Sequence, residues 1–254
     1  MRLYFLVRVV LHLIAGLLTC ALVFPFTDDV GKQTRIRGWS ARLLKLCGVT
    51  VNVRRDRPDA APALVIANHV SWLDIFVINS IEPCRFVAKS DVRDWPLIGW
   101  LCERAGTIFI ARGRPRDVRH IYQGLVESIH NGERVAFFPE GTTSTQGTVL
   151  PFHANLFEAA IEAEVPIQPY ALRYTNYGGA FHPGADFVGE TTFVQSILAV
   201  LAVRDFHAEV TVVVPIPAHG LHRRELAAQS RAAIARTLDS GCSNSSRAAD
   251  IAGN

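Results

Sequence analysis

The chain has 254 residues, 49% of them hydrophobic, so it is long enough and apolar enough to bury one substantial core. Its five cysteines are odd in number and include no Cys-x2-Cys pair, so neither a disulfide framework nor a zinc knuckle is indicated, and a reducing compartment fits best. The net charge of +3 is unevenly distributed, because residues 1–57 hold ten Lys or Arg against three Asp. These basic residues lie among long aliphatic stretches, which favours an anionic membrane surface over nucleic acid as a partner.

An apolar stretch occupies residues 3–24, interrupted by Arg8, His12 and Thr19. It is long enough for a signal-peptide core or for most of a membrane helix. Because no clean small-x-small cleavage site follows it, we favour a retained membrane anchor over a cleaved signal peptide or a buried core helix.

A second helix is predicted over residues 32–47, with one apolar stripe and with most basic side chains off that stripe. The stripe consists of Ile36, Ser40, Leu43 and Cys47, and the basic residues are Arg35, Arg42 and Lys45. We interpret it as an interfacial helix, the alternative being an ordinary amphipathic helix packed on the domain. Residues 1–48 are therefore assigned to a membrane anchor with an interfacial helix.

From residue 49 onward, candidate strands alternate with candidate helices, which is typical of an α/β sheet domain. Strands are predicted over residues 49–53, 63–67, 85–88, 107–111, 134–138, 167–172 and 209–215, and helices over 72–80, 97–105, 118–131, 156–163 and 223–238. We predict a single mixed-sheet α/β domain flanked by helices over residues 49–239. A polar, disordered tail is predicted over residues 240–254.

His69 and Asp74 stand five positions apart, directly after the buried strand predicted over residues 63–67. An imidazole whose far nitrogen meets a carboxylate can act as a general base on a hydroxyl. The spacing alone is weak evidence, since His153 and Glu158 share it. The position of His69 and Asp74 after a strand end makes them the stronger candidates, because catalytic residues are often found in such loops.

Two further segments carry polar groups at strand ends. Arg112 follows the strand predicted over residues 107–111, where its guanidinium either grips a phosphate or is a solvated loop charge. Glu140, Gly141, Thr142 and Thr143 follow the strand predicted over residues 134–138. A carboxylate there needs a hydrogen-bond partner, so Glu140 either holds a substrate hydroxyl or braces the loop.

Together with Pro166 and Pro169 around the next strand start, these motifs resemble, in order, the four motifs of the glycerolipid acyltransferase family, which includes bacterial 1-acylglycerol-3-phosphate acyltransferases. The likeness spans residues 64–172 and implies a glycerol-3-phosphate acyltransferase-like fold. It implies His69 and Asp74 as the catalytic pair and Arg112 as a ligand of the acceptor phosphate. Glu140 and Gly141 would bind the acceptor and shape the loop, with Thr142 and Thr143 beside them.

The activity implied is transfer of a fatty acyl group from acyl-CoA or acyl carrier protein to a lysolipid hydroxyl, at the cytoplasmic face of the inner membrane. No cofactor is implied beyond the acyl donor. The first expectation for the acceptor is 1-acylglycerol-3-phosphate, which gives phosphatidic acid. No metal site is predicted, because His69 and Asp74 lack a third ligand nearby.

One position departs from the family pattern, since Thr143 stands where many phosphatidate-forming relatives have arginine. The loss of a guanidinium removes a charge-assisted phosphate contact, of a kind worth about 1.5–3 kcal/mol. Similar enzymes acylate lyso-ornithine lipid, which is therefore the alternative acceptor. A thioesterase and a membrane scaffold are weaker alternatives, because the sequence has no Gly-x-Ser-x-Gly elbow and keeps both members of the His and Asp pair.

Overall fold

The computed structural model describes residues 2–55, 58, 60, 62–95, 97–110, 115–203 and 206–252. All seven predicted strands are present in one sheet, and their ends lie within three residues of the predicted ends. They are β1 (Val49–Arg55), β2 (Leu64–Ala67), β3 (Arg85–Lys89), β4 (Ile108–Ile110), β5 (Val135–Phe137), β6 (Ile167–Thr175) and β7 (Phe206–Val212). The predicted mixed sheet is confirmed.

The strand order in the sheet is β1-β7-β6-β2-β5-β3-β4. Strands β6, β2, β5, β3 and β4 are mutually parallel, whereas β7 is antiparallel to β6 and parallel to β1. The carboxyl ends of the five parallel strands therefore meet at one edge, the edge at which parallel α/β sheets bind ligands.

Strand β2 lies in the middle of the sheet and is buried on both faces. Leu64 and Ile66 point into one hydrophobic cluster, and Val65 and Ala67 point into the other, because side chains alternate along a strand. An unbroken apolar run is what an interior strand of a parallel sheet requires. The strand thus fixes the starting point of the loop that carries His69.

Eight helices flank the sheet in the part of the chain that the structure describes: α1 (Arg2–Leu22), α2 (Asp29–Cys47), α3 (Leu73–Ile81), α4 (Ile98–Arg104), α5 (Pro115–His130), α6 (Glu158–Glu162), α7 (Phe193–Val203) and α8 (Arg223–Ala252). The five helices predicted after residue 49 are present. Helix α7 was not predicted, because its short apolar run shows neither helical nor strand periodicity.

The last helix extends beyond its predicted end. Helix α8 continues through Ala252, into the segment for which we predicted disorder. No proline interrupts Arg223–Ala252, and Arg247, Ala248 and Ala249 are strong helix formers. The boundaries of the proposed units stay a prediction.

The two N-terminal helices differ in their surroundings. The apolar span Leu3–Phe26 in and after α1 has a mean hydropathy of 2.3 and is long enough to cross a membrane. One side of it packs on the domain through Val9 and Cys20, while Leu3, Leu11, Leu18 and Leu22 are exposed. That exposed apolar face is the feature of this segment that suggests association with a membrane.

Helix α2 is capped at its start by Asp28, whose side chain accepts a hydrogen bond from the Gly31 amide at 2.9 Å, and at its end by Gly48 in the left-handed conformation. Its predicted stripe is buried against the domain, including Ser40, Leu43 and Cys47. Of the two interpretations of this helix, packing on the domain is therefore the one that the contacts support.

Candidate active site

His69 and Asp74 are brought together by the loop that joins β2 to α3. The Asn68 side chain bonds both backbone groups of Leu172 in β6, donating to the carbonyl at 2.9 Å and accepting from the amide at 2.8 Å. Helix α3 begins at Leu73, so Asp74 lies in its first turn. His69 Nδ1 lies 2.8 Å from Asp74 Oδ2, which is the contact that the spacing predicted.

The Asp74 carboxylate is fully buried and receives hydrogen bonds from three further donors. The backbone amides of Val70 and Ser71 donate to Oδ2 at 2.8 and 2.9 Å, and the Tyr174 hydroxyl donates to Oδ1 at 2.6 Å. Burial, together with the charge of Asp74, raises the pKa of Tyr174 well above its ordinary value, so this hydroxyl stays protonated and remains a donor. The carboxylate is thereby held in one orientation.

The imidazole of His69 is fixed on its face as well as at Nδ1. It stacks on the Phe138 ring with centroids 3.9 Å apart and planes 10° apart, and Phe138 in turn stacks on Phe86. The His69 side chain is 18% exposed, and its Nε2 makes no hydrogen bond to any residue that the structure describes. With Nδ1–H directed at the carboxylate, Nε2 has a lone pair that can accept a proton.

Glu140 braces the backbone around this pair. Its Oε1 accepts from the His69 amide at 2.8 Å and its Oε2 accepts from the Leu150 amide at 2.9 Å. Burial of the side chain raises the pKa of Glu140, and the two hydrogen bonds oppose that shift. Of the two roles considered for this carboxylate, the contacts support the loop brace.

The residues after Glu140 shape a turn. Gly141 has a φ of +70°, and a Cβ there would lie 3.2 Å from Cδ2 of His153. Thr142 is exposed. Thr143 donates from its hydroxyl to the carbonyl of Phe187, whose own amide donates to the Val70 carbonyl at 3.1 Å. The substrate-binding roles of these residues stay a prediction.

Arg112, the predicted phosphate ligand, lies outside the described residues, as do its neighbours at positions 111, 113 and 114. His153 and Glu158, which have the same spacing as His69 and Asp74, do not form a similar pair. The Glu158 carboxylate instead lies 3.7 Å from the Arg223 guanidinium. Among the described residues, no group of three or more His, Cys, Asp and Glu side chains is arranged to hold a metal ion.

Three side chains of the site were missed by reasoning from the sequence: Asn68, Phe138 and Tyr174. Asn68 directly precedes His69, and Phe138 lies two positions before Glu140, at the end of a predicted strand. Tyr174 lies two residues beyond the predicted end of its strand and 100 positions from its partner Asp74. Sequence spacing gave no signal for that last contact.

An imidazole held by a buried carboxylate, with its far nitrogen open at the carboxyl edge of an α/β sheet, is an arrangement that can deprotonate a hydroxyl. The fold and this site together define an α/β domain that carries a candidate general base at the carboxyl edge of its sheet and follows an apolar N-terminal helix. The family model described as Acyltransferase matches residues 48–173.

Individual relatives agree with that match. The chain is 39% identical over 207 residues to a lyso-ornithine lipid O-acyltransferase of Pseudomonas aeruginosa, covering 82% of this chain and 79% of that protein. It is 44% identical over 116 residues to a 1-acyl-sn-glycerol-3-phosphate acyltransferase of Neisseria gonorrhoeae, covering 46% of each. The chain therefore belongs to the acyltransferase family and is an acyltransferase.

The fold has a counterpart among solved structures. The crystal structure of the 1-acyl-sn-glycerophosphate acyltransferase PlsC from Thermotoga maritima superposes with a TM-score of 0.67 at 21% identity, over 94% of this chain and 97% of that one. This likeness confirms the predicted fold class.

Proposed function

We propose that this protein is a lysolipid O-acyltransferase in which His69 is the general base. The observation that carries the proposal is the 2.8 Å contact between His69 Nδ1 and the buried Asp74 carboxylate, with Nε2 left open. The names of the relatives support a lysolipid as the acceptor.

In the proposed reaction, Nε2 of His69 takes the proton of the lysolipid hydroxyl while that oxygen attacks the thioester carbonyl of acyl-CoA or acyl carrier protein. The new ester C–O bond forms, the C–S bond breaks, and the imidazolium returns its proton to the departing thiolate. Asp74 stabilises the imidazolium by its charge. No acyl-enzyme is needed, since the hydroxyl attacks the donor directly.

For the acceptor we place lyso-ornithine lipid first, ahead of the 1-acylglycerol-3-phosphate that the motifs alone favoured. The relative matched over 79% of its length carries that name, whereas the lysophosphatidate enzyme is matched over 46%. Thr143 stands where phosphatidate-forming relatives commonly have arginine, and its hydroxyl donates a hydrogen bond to the Phe187 carbonyl. The 44% identity over 116 residues keeps lysophosphatidate as the second candidate.

The experiment compares purified protein and two variants for thiol release and ester formation with each lysolipid. His69→Ala is expected to lose about 10²- to 10⁴-fold in kcat, which is what a positioned general base contributes. The matched control is His219→Ala, at an exposed loop position. A His69→Ala rate within tenfold of wild type would eliminate the base assignment, and a faster rate with lysophosphatidate would reverse the order of acceptors.

We also propose that the catalytic domain faces the cytoplasm from the inner membrane. The exposed apolar face of α1 and the thiols of Cys20 and Cys102, which form no disulfide with a described residue, support this location. Fractionation with protease digestion of inside-out and right-side-out vesicles tests it, and digestion only from the periplasmic side would contradict it.

A further inference from the structure

A groove of about 560 Å³ runs between α1 and α2, away from the catalytic pair. Its lining combines guanidinium groups with apolar and aromatic surface, chiefly from Arg8, Leu11 and His12 of α1 and from Arg35, Trp39 and Arg42 of α2. The Trp39 ring packs on Phe76, and Phe76 packs on Trp72, which lies at the end of the loop between β2 and α3. A layer of aromatic rings therefore lies between the groove and that loop.

The walls of the groove are held together by contacts between the two helices. His12 Nε2 donates to the Trp39 carbonyl at 3.0 Å, and Trp39 Nε1 donates to the His12 carbonyl at 3.2 Å. The two rings stack with centroids 4.7 Å apart and planes 13° apart. Gly16 allows this approach, because a Cβ there would lie 2.6 Å from Trp39 Nε1. The groove is thus formed in advance of any ligand.

Positive charge in the groove is not neutralised by the part of the chain that the structure describes. Arg8, Arg35 and Arg42 make no salt bridge to a described carboxylate, and Arg8 instead lies over the Tyr4 ring at 5.4 Å. Guanidinium groups repel one another unless an anion lies between them, and their planar fork matches phosphate oxygens. The charge pattern therefore calls for an anion, and the side-chain chemistry favours a phosphate.

The surroundings indicate that the phosphate belongs to a lipid. Leu11, Ala15 and Leu46 line the same groove, and Leu18 and Leu22 continue an exposed apolar surface along α1. A soluble phosphate leaves that apolar surface in water, whereas a phospholipid covers it with its acyl chain.

We propose that this groove binds an anionic phospholipid, with its headgroup phosphate between Arg8, Arg35 and Arg42 and an acyl chain along the exposed face of α1. The site is distinct from the catalytic centre and does not depend on the proposed acceptor. It would attach the enzyme to membranes that contain acidic lipids through a specific headgroup contact.

The test counts the lipids that the full-length protein retains from a neutral detergent, by native mass spectrometry. The probes are phosphatidylglycerol and phosphatidylcholine with identical acyl chains. Wild type is expected to retain one phosphatidylglycerol at concentrations that leave phosphatidylcholine unbound. Arg42→Gln and Arg35→Gln should each need at least tenfold more phosphatidylglycerol, which corresponds to about 1.4 kcal/mol.

The matched control is Arg37→Gln, which removes the same charge from the same helix. Arg37 is outside the groove lining and directs its side chain to the Ser80 carbonyl at 3.3 Å. It should retain phosphatidylglycerol as wild type does. Arg42→Lys, which keeps the charge but loses the fork, should fall between wild type and Arg42→Gln, and it provides a second reading if Arg42→Gln does not fold.

Three results would overturn the inference. Equal retention of the two lipids would show that the headgroup is not recognised. Equal weakening by Arg37→Gln and Arg42→Gln would show that only the overall positive charge of the helix matters. Displacement of phosphatidylglycerol by inorganic phosphate at similar concentration would show that no lipid is recognised. His69→Ala should retain the lipid as wild type does, so this measurement stands apart from the test of the general base.

Discussion

The hydrogen bond from Tyr174 to Asp74 allows a sharp test of how the Asp74 carboxylate is held. In Tyr174→Phe, Oδ1 of Asp74 loses its donor among the described residues, while Oδ2 keeps the bonds from His69, Val70 and Ser71. Both side chains are fully buried, and the hydrogen bond joins a hydroxyl to a charged group. Such a bond contributes about 1.5–3 kcal/mol, so the free energy of unfolding should fall by about that amount.

Activity should respond much less than stability to the same substitution. The oxygen that contacts His69 is Oδ2, and its other donors are unchanged, so kcat is expected to stay within about tenfold of wild type while His69→Ala loses about 10²-fold or more. Urea unfolding in a fixed neutral detergent and initial rates at saturating substrate measure the two effects. A loss of kcat as large as that of His69→Ala would refute the reasoning that the hydrogen bonds to Oδ2 are enough to hold the carboxylate against His69.

The matched control is Tyr122→Phe, because the buried hydroxyl of Tyr122 has no hydrogen-bond partner among the described residues. Its removal should leave stability unchanged or raise it. Between neutral pH and about pH 10, where unfolded tyrosine begins to ionise, the difference in stability between wild type and Tyr174→Phe should be constant, and it should shrink above that pH. The sign follows from the raised pKa of Tyr174, since the unfolded state then releases a proton that the folded state keeps. A stability loss below about 0.5 kcal/mol for Tyr174→Phe would show that the hydrogen bond is not stabilising.

Two further predictions concern the loop after β5. Glu140→Gln turns one acceptor into an NH2 group facing a backbone N–H, so unfolding experiments should show a loss of about 1–3 kcal/mol. Because burial raises the pKa of Glu140, its ionisation opposes folding as pH rises through the interval between the unfolded and folded pKa, and that pH-dependent loss should vanish in the variant. Gly141→Ala should cost about 1–2 kcal/mol for its left-handed backbone, whereas Gly124→Ala, inside α5 with open space around it, should stabilise by about 0.5–1 kcal/mol in the same assay.

Reasoning from the sequence was most successful where one local pattern determines one element. The run Leu64–Ala67 predicted an interior strand because a strand between two cores must be apolar at every position. The contact of His69 with Asp74 was predictable because five positions separate them across a single helix start. Helix α7 was missed because an eleven-residue apolar run fits several structures, and its one buried polar group, Ser196, finds its partner Trp72 far away in the chain.

The same contrast explains why the role of Glu140 was left open between two alternatives. A carboxylate at a strand end must meet donors, but the sequence does not say whether those donors come from a ligand or from the chain. Here one donor is the amide of His69 itself, 71 positions earlier, and this pairing depends on β2 lying beside β5 in the sheet. A change at Glu140 would therefore alter activity through the backbone of His69, even without any contact between Glu140 and the acceptor.

The position of Thr143 extends this argument to acceptor choice. Its hydroxyl donates to the Phe187 carbonyl, and the Phe187 amide donates to the Val70 carbonyl beside His69, so the loop after β5 and the loop between β2 and α3 are joined through one residue. An arginine at this position would break the first of these bonds while adding a charge for a phosphate. A gain of lysophosphatidate binding by substitution of Thr143 with arginine should therefore come with a less firmly held loop around His69, because the hydroxyl that would be lost helps to hold that loop through Phe187.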